Sequence, residues 1–378
     1  MKRYFVTGAT GVVGSSLVPV LLRDPGARLS LLIRAGNADE LSGRLETLCR
    51  FWGVAPDDVA TRSRVEALAG DTTLPRLGLA EGTYRALAEG CTHIVHAAGL
   101  VRMNLPLEEA RRSAVGSAHN VVALARACPA LRKLDFVSTV GVGGRLPQAI
   151  PERWLTEQRE FHNTYEQAKA EAEDFLREET MRQPLPLTVH RPSMVVGDSR
   201  DGRVIGFQVF YFLCEFLSGR RTFGLYPDFG DARLDIIGCD IVAEAIAAAG
   251  DDPQTVGRIL HLCSGPQDAL CIEDLKHAVR DAFSTRGIPV PGDRVLPRRW
   301  YARLARLGAR IAPPDLRKAL SALPIYLDYL ADSQEFENGE FTAWLAERGR
   351  RRPAPAAYLC KVLDHYLAMR YDAQSPEA

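Results

Sequence analysis

Residues 4–23 read YFVTGATGVVGSSLVPVLLR. An apolar, strand-like run, Tyr4–Thr7, feeds a glycine-rich turn, and a helical pattern over Val13–Arg23 follows. In Thr7-Gly8-Ala9-Thr10-Gly11-Val12-Val13-Gly14 the glycines keep a three-then-three spacing. A tight strand-to-helix turn, a close backbone approach to a pyrophosphate and close helix–strand packing each require a residue without Cβ. The N-terminus of the next helix offers free N–H groups and a positive dipole end to the phosphates. A glycine triplet also fits ordinary turns, but its position at the first β-α junction selects the dinucleotide reading. Thr7, Gly8, Thr10, Gly11, Val12 and Gly14 are the cofactor-binding candidates here.

Outward from this turn, short β-branched runs alternate with longer helical patterns. Candidate strands are Tyr4–Thr7, Leu29–Arg34, Arg64–Ala69, His93–His96, Lys133–Ser138 and Leu187–Arg191. Helical stretches such as Val13–Arg23, Glu108–Ala127 and Tyr165–Arg182 lie between them. The alternation predicts an α/β fold, a Rossmann-type doubly wound parallel sheet with helices on both faces. From about residue 195 the pattern loosens. A further strand-like run, Arg258–Cys263, precedes a helix at Ile272–Phe283. Beyond Pro289 the chain reads as helical, Arg-rich and proline-punctuated, a C-terminal elaboration. No internal repeat or low-complexity segment is visible.

The 378 residues carry 47 basic and 47 acidic side chains, which excludes a globally basic nucleic-acid binder and an acidic tail protein. No apolar run reaches the ~18 residues of a membrane span. The richest, Val204–Leu217, is broken by Gln208 and Glu215. The N-terminus enters a strand directly, without an apolar leader. Eight scattered cysteines show no Cys-x-x-Cys and no zinc spacing, so no metal site is expected. They read as free, mostly buried thiols in a reducing cytoplasm.

The second strand ends Leu-Leu-Ile-Arg34, with no acid before Asp39. NAD readers usually place an acid there for the ribose 2′-OH. An arginine instead suits a 2′-phosphate, which its planar fork can grip, so the expectation is NADPH. Arg44, on the next helix, is a second clamp. Gly70-Asp71 after the third strand could receive the adenine, and Ala97-Ala98-Gly99 after the fourth lets backbone pass close to the cofactor.

Tyr165-Glu-Gln-Ala-Lys169 opens a helix, so the tyrosine and lysine share one face. Eleven tyrosines and six lysines would make roughly 0.2 such pairs by chance, and this is the sole one in the sequence. An adjacent ammonium favours phenolate and lowers a tyrosine pKa toward the range of a working acid or base. Strand five runs into Val137-Ser138-Thr139, whose hydroxyl can hold a carbonyl oxygen as charge develops. Strand six runs into Arg191-Pro192-Ser193, whose rigid backbone, through Pro192 and Ser193, could fix a nicotinamide carboxamide.

With TGATGVVG at 7–14, GD at 70–71, HAAG at 96–99, VST at 137–139, YEQAK at 165–169 and RPSMVVG at 191–197, the chain resembles the extended short-chain dehydrogenases/reductases over about its first 250 residues. The resemblance implies a catalytic triad of Thr139, Tyr165 and Lys169, with Lys169 also holding the nicotinamide ribose. LLIR with RL at 44–45, GDTTLPRLGL at 70–79, STVGVGG at 138–144 and RPSMVVGDSRDG at 191–202 look most like the thioester-reductase and fatty acyl-CoA reductase branch. Where that branch usually carries Asn, Tyr and Asn-Val, this chain has Arg102, Leu107 and Ser113-Ala114. The implied organisation is an NADP-binding domain over 1–200, a substrate-binding subdomain over 201–290 interleaved with the sheet, and the helical elaboration over 291–378. The implied activity is NADPH-dependent reduction of an acyl thioester, bound to CoA or a carrier protein, or of the matching aldehyde. A ketone or hydroxysteroid-type dehydrogenase, a nucleotide-sugar epimerase or dehydratase, and a non-catalytic NADP-binding regulator stay as alternatives.

In the substrate half, the aromatic stretch Phe207–Phe216 reads either as core helix or as the wall for an acyl chain. Gly224–Gly230 reads as a mobile loop and Asp240 as structural. Residues 294–318 hold eight basic side chains and one acid, Asp315. Arg299, Arg303, Arg306 and Arg310 fall on one helix face, beside an apolar stripe of Trp300, Leu304, Leu307 and Ile311. This stripe reads as solvated surface, as a docking face for an acidic carrier protein or the phosphates of CoA, or as contact with an anionic membrane surface.

Overall fold

A computed structural model describes residues 1–55, 57–103, 105–301, 303–304 and 334–372. The first half runs β1 (Arg3–Thr7), α1 (Val12–Leu21), β2 (Arg28–Ile33), α2 (Ala38–Trp52), α3 (Val59–Arg62), β3 (Val65–Ala69), α4 (Glu81–Gly90), β4 (His93–His96), α5 (Leu107–Arg111), α6 (Ser117–Ala127), β5 (Lys133–Val137), α7 (Thr164–Arg182) and β6 (Leu187–Pro192). With β11 (Ile259–Leu262), these strands form one seven-stranded sheet in the order β11-β6-β5-β4-β1-β2-β3. Every pairing in it is parallel. The fold is the expected α/β doubly wound sheet. The chain steps outward from β1 through β2 to β3, then returns to β4 on the other side. That reversal opens a crevice at the carboxyl ends of β1 and β4.

Both sheet faces are covered. On one, Leu17, Val18 and Leu21 of α1 pack with Val242, Ala243 and Ile246 of α9 (Cys239–Gly250) against β1 and β2. On the other, Val121, Leu124 and Ala125 of α6 meet Ala168, Ala172 and Leu176 of α7 over β4 and β5. Covered on both faces, His93–His96 and Leu187–Pro192 are buried at every residue, including the polar His93, His96, Thr188, His190 and Arg191. The expected helix over 108–127 is continuous but passes through a π-helical turn at Arg112–Gly116, which no glycine or proline before Gly116 announces.

The remaining elements are β7 (Met194–Val196), α8 (Val209–Leu217), β8 (Leu225–Pro227), β9 (Arg233–Leu234), β10 (Ile236–Gly238), β12 (Leu270–Cys271), α10 (Ile272–Thr285), β13 (Arg294–Leu296), α11 (Gly339–Glu347) and α12 (Leu359–Tyr371). They form a second apolar core in which α8, α10 and α12 meet around Phe210, Tyr211, Phe283 and Tyr366. Two expectations are corrected here. Gly224–Gly230 is not a free loop, because Leu225–Pro227 pairs in parallel with Arg294–Leu296. By the same pairing, the segment after Pro289 opens with a strand rather than a helix. Arg280 ties the two together, donating to the Tyr226 hydroxyl and to the Pro291 carbonyl. A Cβ on Gly224, at φ +74°, would lie 1.7 Å from the Gly292 oxygen, so only glycine fits.

Of the basic stripe, Arg306, Arg310, Arg317 and Lys318, with Leu307, Ile311 and Asp315, lie outside the described residues. Arg303 stacks on the Trp300 ring, and Trp300 is half exposed. No helix among the described residues is long and apolar enough to cross a membrane.

Candidate active site

The turn after β1 is shaped by backbone contact. A Cβ on Gly14 would sit 2.2 Å from the Gly8 carbonyl oxygen, and one on Gly8 (φ +76°) 2.5 Å from the Ala97 backbone. A Cβ on Gly11 would meet the Gly8 oxygen at 3.3 Å, a tight contact, and Gly11 lines the cavity described next. Thr7 is wholly buried: its hydroxyl bonds His96 Nδ1 at 2.8 Å and accepts the Ala98 N–H. Thr7 and Ala98 thus brace β1 against β4, while Thr10 is exposed at the turn. Asp71 Oδ1 accepts the Thr73 N–H and hydroxyl, which closes the loop after β3.

Beside the turn, a cavity of about 180 Å³ opens at the carboxyl edge of the sheet. Gly11, Val12, Ala97, Gly99, Thr139, Tyr165, Lys169, Pro192 and Ser193 all line it. The structure therefore brings together the expected triad, two of the cofactor turns and the strand-six terminus, while Asp71 is not part of the lining. Arg34 and Arg44 stand apart from it, at the end of β2 and on α2. The cavity also takes residues that the motifs did not single out: Ser138, Met103, Glu166, Gln208 and Phe210. Ser138 Oγ is buried without a partner among the described residues. Phe210 answers the question posed by the aromatic stretch. It belongs to the second core and to the cavity wall at once.

Helix α7 starts where the Asn163 side chain accepts the Glu166 N–H. That start presents Tyr165 and, one turn on, Lys169 to the cleft. Thr139 and Tyr165 line the same cavity, and the Thr139 hydroxyl lies close enough to lower the phenol's pKa. Thr139 Oγ1 accepts the Gly141 N–H. Lys169 Nζ donates to the Val137 carbonyl at 3.0 Å. The Glu166 carboxylate takes the His162 N–H and bonds His162 Nδ1.

The electrostatics depart from the expectation of an acidified tyrosine. Burial pushes Tyr165 up to about 12, helped by the Glu166 charge and opposed by the nearby Thr139 hydroxyl. Burial also brings Lys169 down to about 8, against the pull of Glu173. The cleft favours the neutral form of both groups. A neutral phenol is a proton donor, which is the role a carbonyl reduction needs.

Behind the cleft, Arg191 is wholly buried and grips both Glu173 oxygens at 3.0 and 2.6 Å. It also donates to the Pro151 carbonyl and to His261 Nε2. That network fixes α7, which carries Tyr165 and Lys169, against β6, which carries Pro192.

A nicotinamide dinucleotide fits this set on two observations. The Gly8–Gly14 turn puts Gly11, without a side chain, on the cavity lining, and an unpartnered hydroxyl, Ser138, also lines it. Among the described residues no cluster of metal-ligating side chains is present.

A family model described as male sterility protein matches residues 6–246. The isonitrile lipopeptide synthase of Streptomyces coeruleorubidus is 32% identical over 231 residues, which are 60% of this chain and 15% of that protein. The terminal R domain from the myxalamid PKS-NRPS biosynthetic pathway superposes with a TM-score of 0.80 at 26% identity, covering 100% of this chain and 93% of that one. A thiolation-reductase di-domain from an archaeal non-ribosomal peptide synthetase gives 0.73 at 18% identity, over 98% of this chain and 76% of that one, and so shares the fold. The chain spans less than a third of the length of the curated relatives it matches.

Proposed function

Because the chain belongs to the male sterility protein family of extended short-chain dehydrogenases/reductases, and is a nicotinamide-dependent oxidoreductase on that account, we propose that it is an NADPH-dependent reductase of acyl thioesters delivered on a carrier protein. The observation that carries this reading is the gathering of Thr139, Tyr165 and, one helical turn along, Lys169 in the cavity beside the glycine turn. The named relatives support the thioester and the carrier: one is the terminal R domain of a synthase pathway, another is joined to a thiolation domain.

The glycine turn would hold the pyrophosphate, Lys169 the nicotinamide ribose, Pro192 and Ser193 the carboxamide, and Arg34 with Arg44 the 2′-phosphate. When bound, the reduced nicotinamide supplies the hydride. Thr139 and Tyr165 hold the carbonyl oxygen, and Tyr165 gives that oxygen its proton as the carbonyl carbon is reduced. The resulting hemithioacetal loses its C–S bond: the hydroxyl proton passes to sulfur, and an aldehyde and a thiol leave. Phe210, Met103 and the aliphatic part of Gln208 give the acyl chain an apolar wall. We also propose the division into an NADP-binding domain over 1–200, a substrate subdomain over 201–290 and a C-terminal elaboration over 291–378.

NADPH and NADH oxidation measured across acyl-carrier thioesters, acyl-CoA thioesters, aldehydes and ketones tests the proposal. Turnover of thioesters with NADPH is the expected result. Turnover restricted to ketones, or restricted to NADH, overturns it.

A further inference from the structure

The end of β2 holds two arginines with different engagements. Arg34 is exposed and makes no hydrogen bond or ion pair among the described residues. Arg44 is held by Glu40, whose Oε1 accepts Nε at 3.1 Å and Nη2 at 2.6 Å. The other oxygen of the same carboxylate accepts the Gly36 N–H at 2.7 Å. A backbone N–H and a two-pronged guanidinium, converging from three and eleven residues beyond the tip of β2, make a donor set that suits a phosphate. Here an internal carboxylate fills it.

Part of this geometry is helix capping. Asn37 caps α2 by accepting the Glu40 N–H at 2.8 Å, and a glutamate at that position ordinarily reaches back to the N–H of the cap residue. Glu40 goes one residue further back, to Gly36, and takes Arg44 as well. The Gly36 and Arg44 contacts hold its carboxyl below the usual range, so it is charged at neutral pH. The Gly36 N–H has one hydrogen and Glu40 takes the Nε–Nη2 edge of Arg44, so a phosphate can use these same donors only by displacing the carboxylate, whose charge also repels it.

We propose that Glu40 is a built-in competitor for the 2′-phosphate of NADPH, holding Arg44 and the Gly36 N–H until the phosphate displaces it, and thereby sets how strongly the protein prefers NADPH to NADH. This rests on the NADPH reading above. Arg34 makes the first contact, and Arg44 is released to the phosphate as Glu40 swings out to solvent.

The test is calorimetric titration of 2′,5′-ADP and 5′-AMP into the wild type, Glu40→Gln and Arg44→Gln. The glutamine keeps an oxygen for the Gly36 N–H, so the cap survives and only the charge is lost. Glu40→Gln should bind 2′,5′-ADP about two- to fivefold more tightly at low salt, with the gain shrinking as salt rises. Its affinity for 5′-AMP should not change. Arg44→Gln should bind 2′,5′-ADP more weakly. If Glu40→Gln leaves 2′,5′-ADP binding unchanged or weaker while the wild type still prefers it to 5′-AMP, Glu40 is a cap and the proposal is wrong. If the wild type binds both nucleotides equally, the NADPH reading itself falls.

Discussion

From β1 to β6 each strand is followed by a helix that returns it, in parallel, to the same sheet, whereas between Met194 and Tyr371 the described strands other than β11 pair two by two. In the first region the glycine turn is built from backbone against backbone, Gly14 on Gly8 and Gly8 on Ala97. In the second, position comes from side chains. Phe207 sits edge-on to Tyr211 and Tyr366, Phe210 to Tyr211, and Phe216 to Tyr226 and Phe229. Backbone-built geometry tolerates sequence change as long as its glycines stay. Side-chain-built geometry can be reshaped a residue at a time, which suits the half that meets the variable end of a substrate.

Substitutions can break this contrast or sharpen it. The largest effect is expected where the two regions meet. Tyr165→Phe should lower kcat by about 10²–10⁴-fold with NADPH affinity unchanged, since the phenol gives a proton and little cofactor contact. A variant that kept more than a tenth of wild-type kcat would remove Tyr165 from the chemistry. Next is pH. Lys169, brought down to about 8, is protonated below that value and neutral above it. If its charge serves the reaction, kcat/KM for reduction is flat below pH 8 and falls by about tenfold per unit above it. A profile flat to pH 10 would show that the neutral amine suffices.

Within the cofactor half, Arg34→Ala should weaken NADPH by about 10–150-fold and leave NADH unchanged. An equal loss for both nucleotides would make Arg34 structural. The smallest effect belongs to the side-chain-built half. The Tyr211 hydroxyl accepts the Gly197 N–H at 3.0 Å in a buried setting. Tyr211→Phe should cost about 1–3 kcal/mol, read as a lower urea midpoint, while NADPH affinity stays put. A change in nucleotide affinity there would mean the two regions are not separable.

The same contrast explains what was legible beforehand. All seven strands of the large sheet, and the helices carrying the glycine turn and the Tyr–Lys pair, were readable because period, β-branching and glycine spacing are local signals. β8 and β13 were not. Each is three residues long, β8 ends at Pro227, and they exist through a pairing across about seventy residues and the Arg280 tie. The triad, Gly11 and the Pro192–Ser193 terminus were named from motifs and do share one cavity. Glu166 is adjacent to Tyr165, and Gln208 and Phe210 belong to the aromatic stretch 207–216, whereas Met103 reaches the cavity through three-dimensional packing that no motif announces. Arg44 was named, and its occupant Glu40 went unnoticed because a charge four residues away on a helix looks like ordinary surface pairing. The tyrosine's neutrality is not legible in the sequence either, since it comes from burial and the Glu166 charge.

One feature behind the cleft bears on how the molecule keeps to itself. β11 is the outermost strand of the large sheet, the place where a second chain could add another strand. The backbone N–H of His261, on that strand, is taken by Glu152, whose carboxylate also receives the N–H groups of Glu340 and Phe341 at the start of α11. Ile150 pairs with Phe336 alongside, and Phe341 and Trp344 sink into the core beneath. One half-buried acid, pushed up to about 7 by desolvation, therefore ties the start of a helix over this border by backbone N–H bonds, so that a sheet rich in Val, Leu and Ile ends under a helix instead of as an open template at this edge.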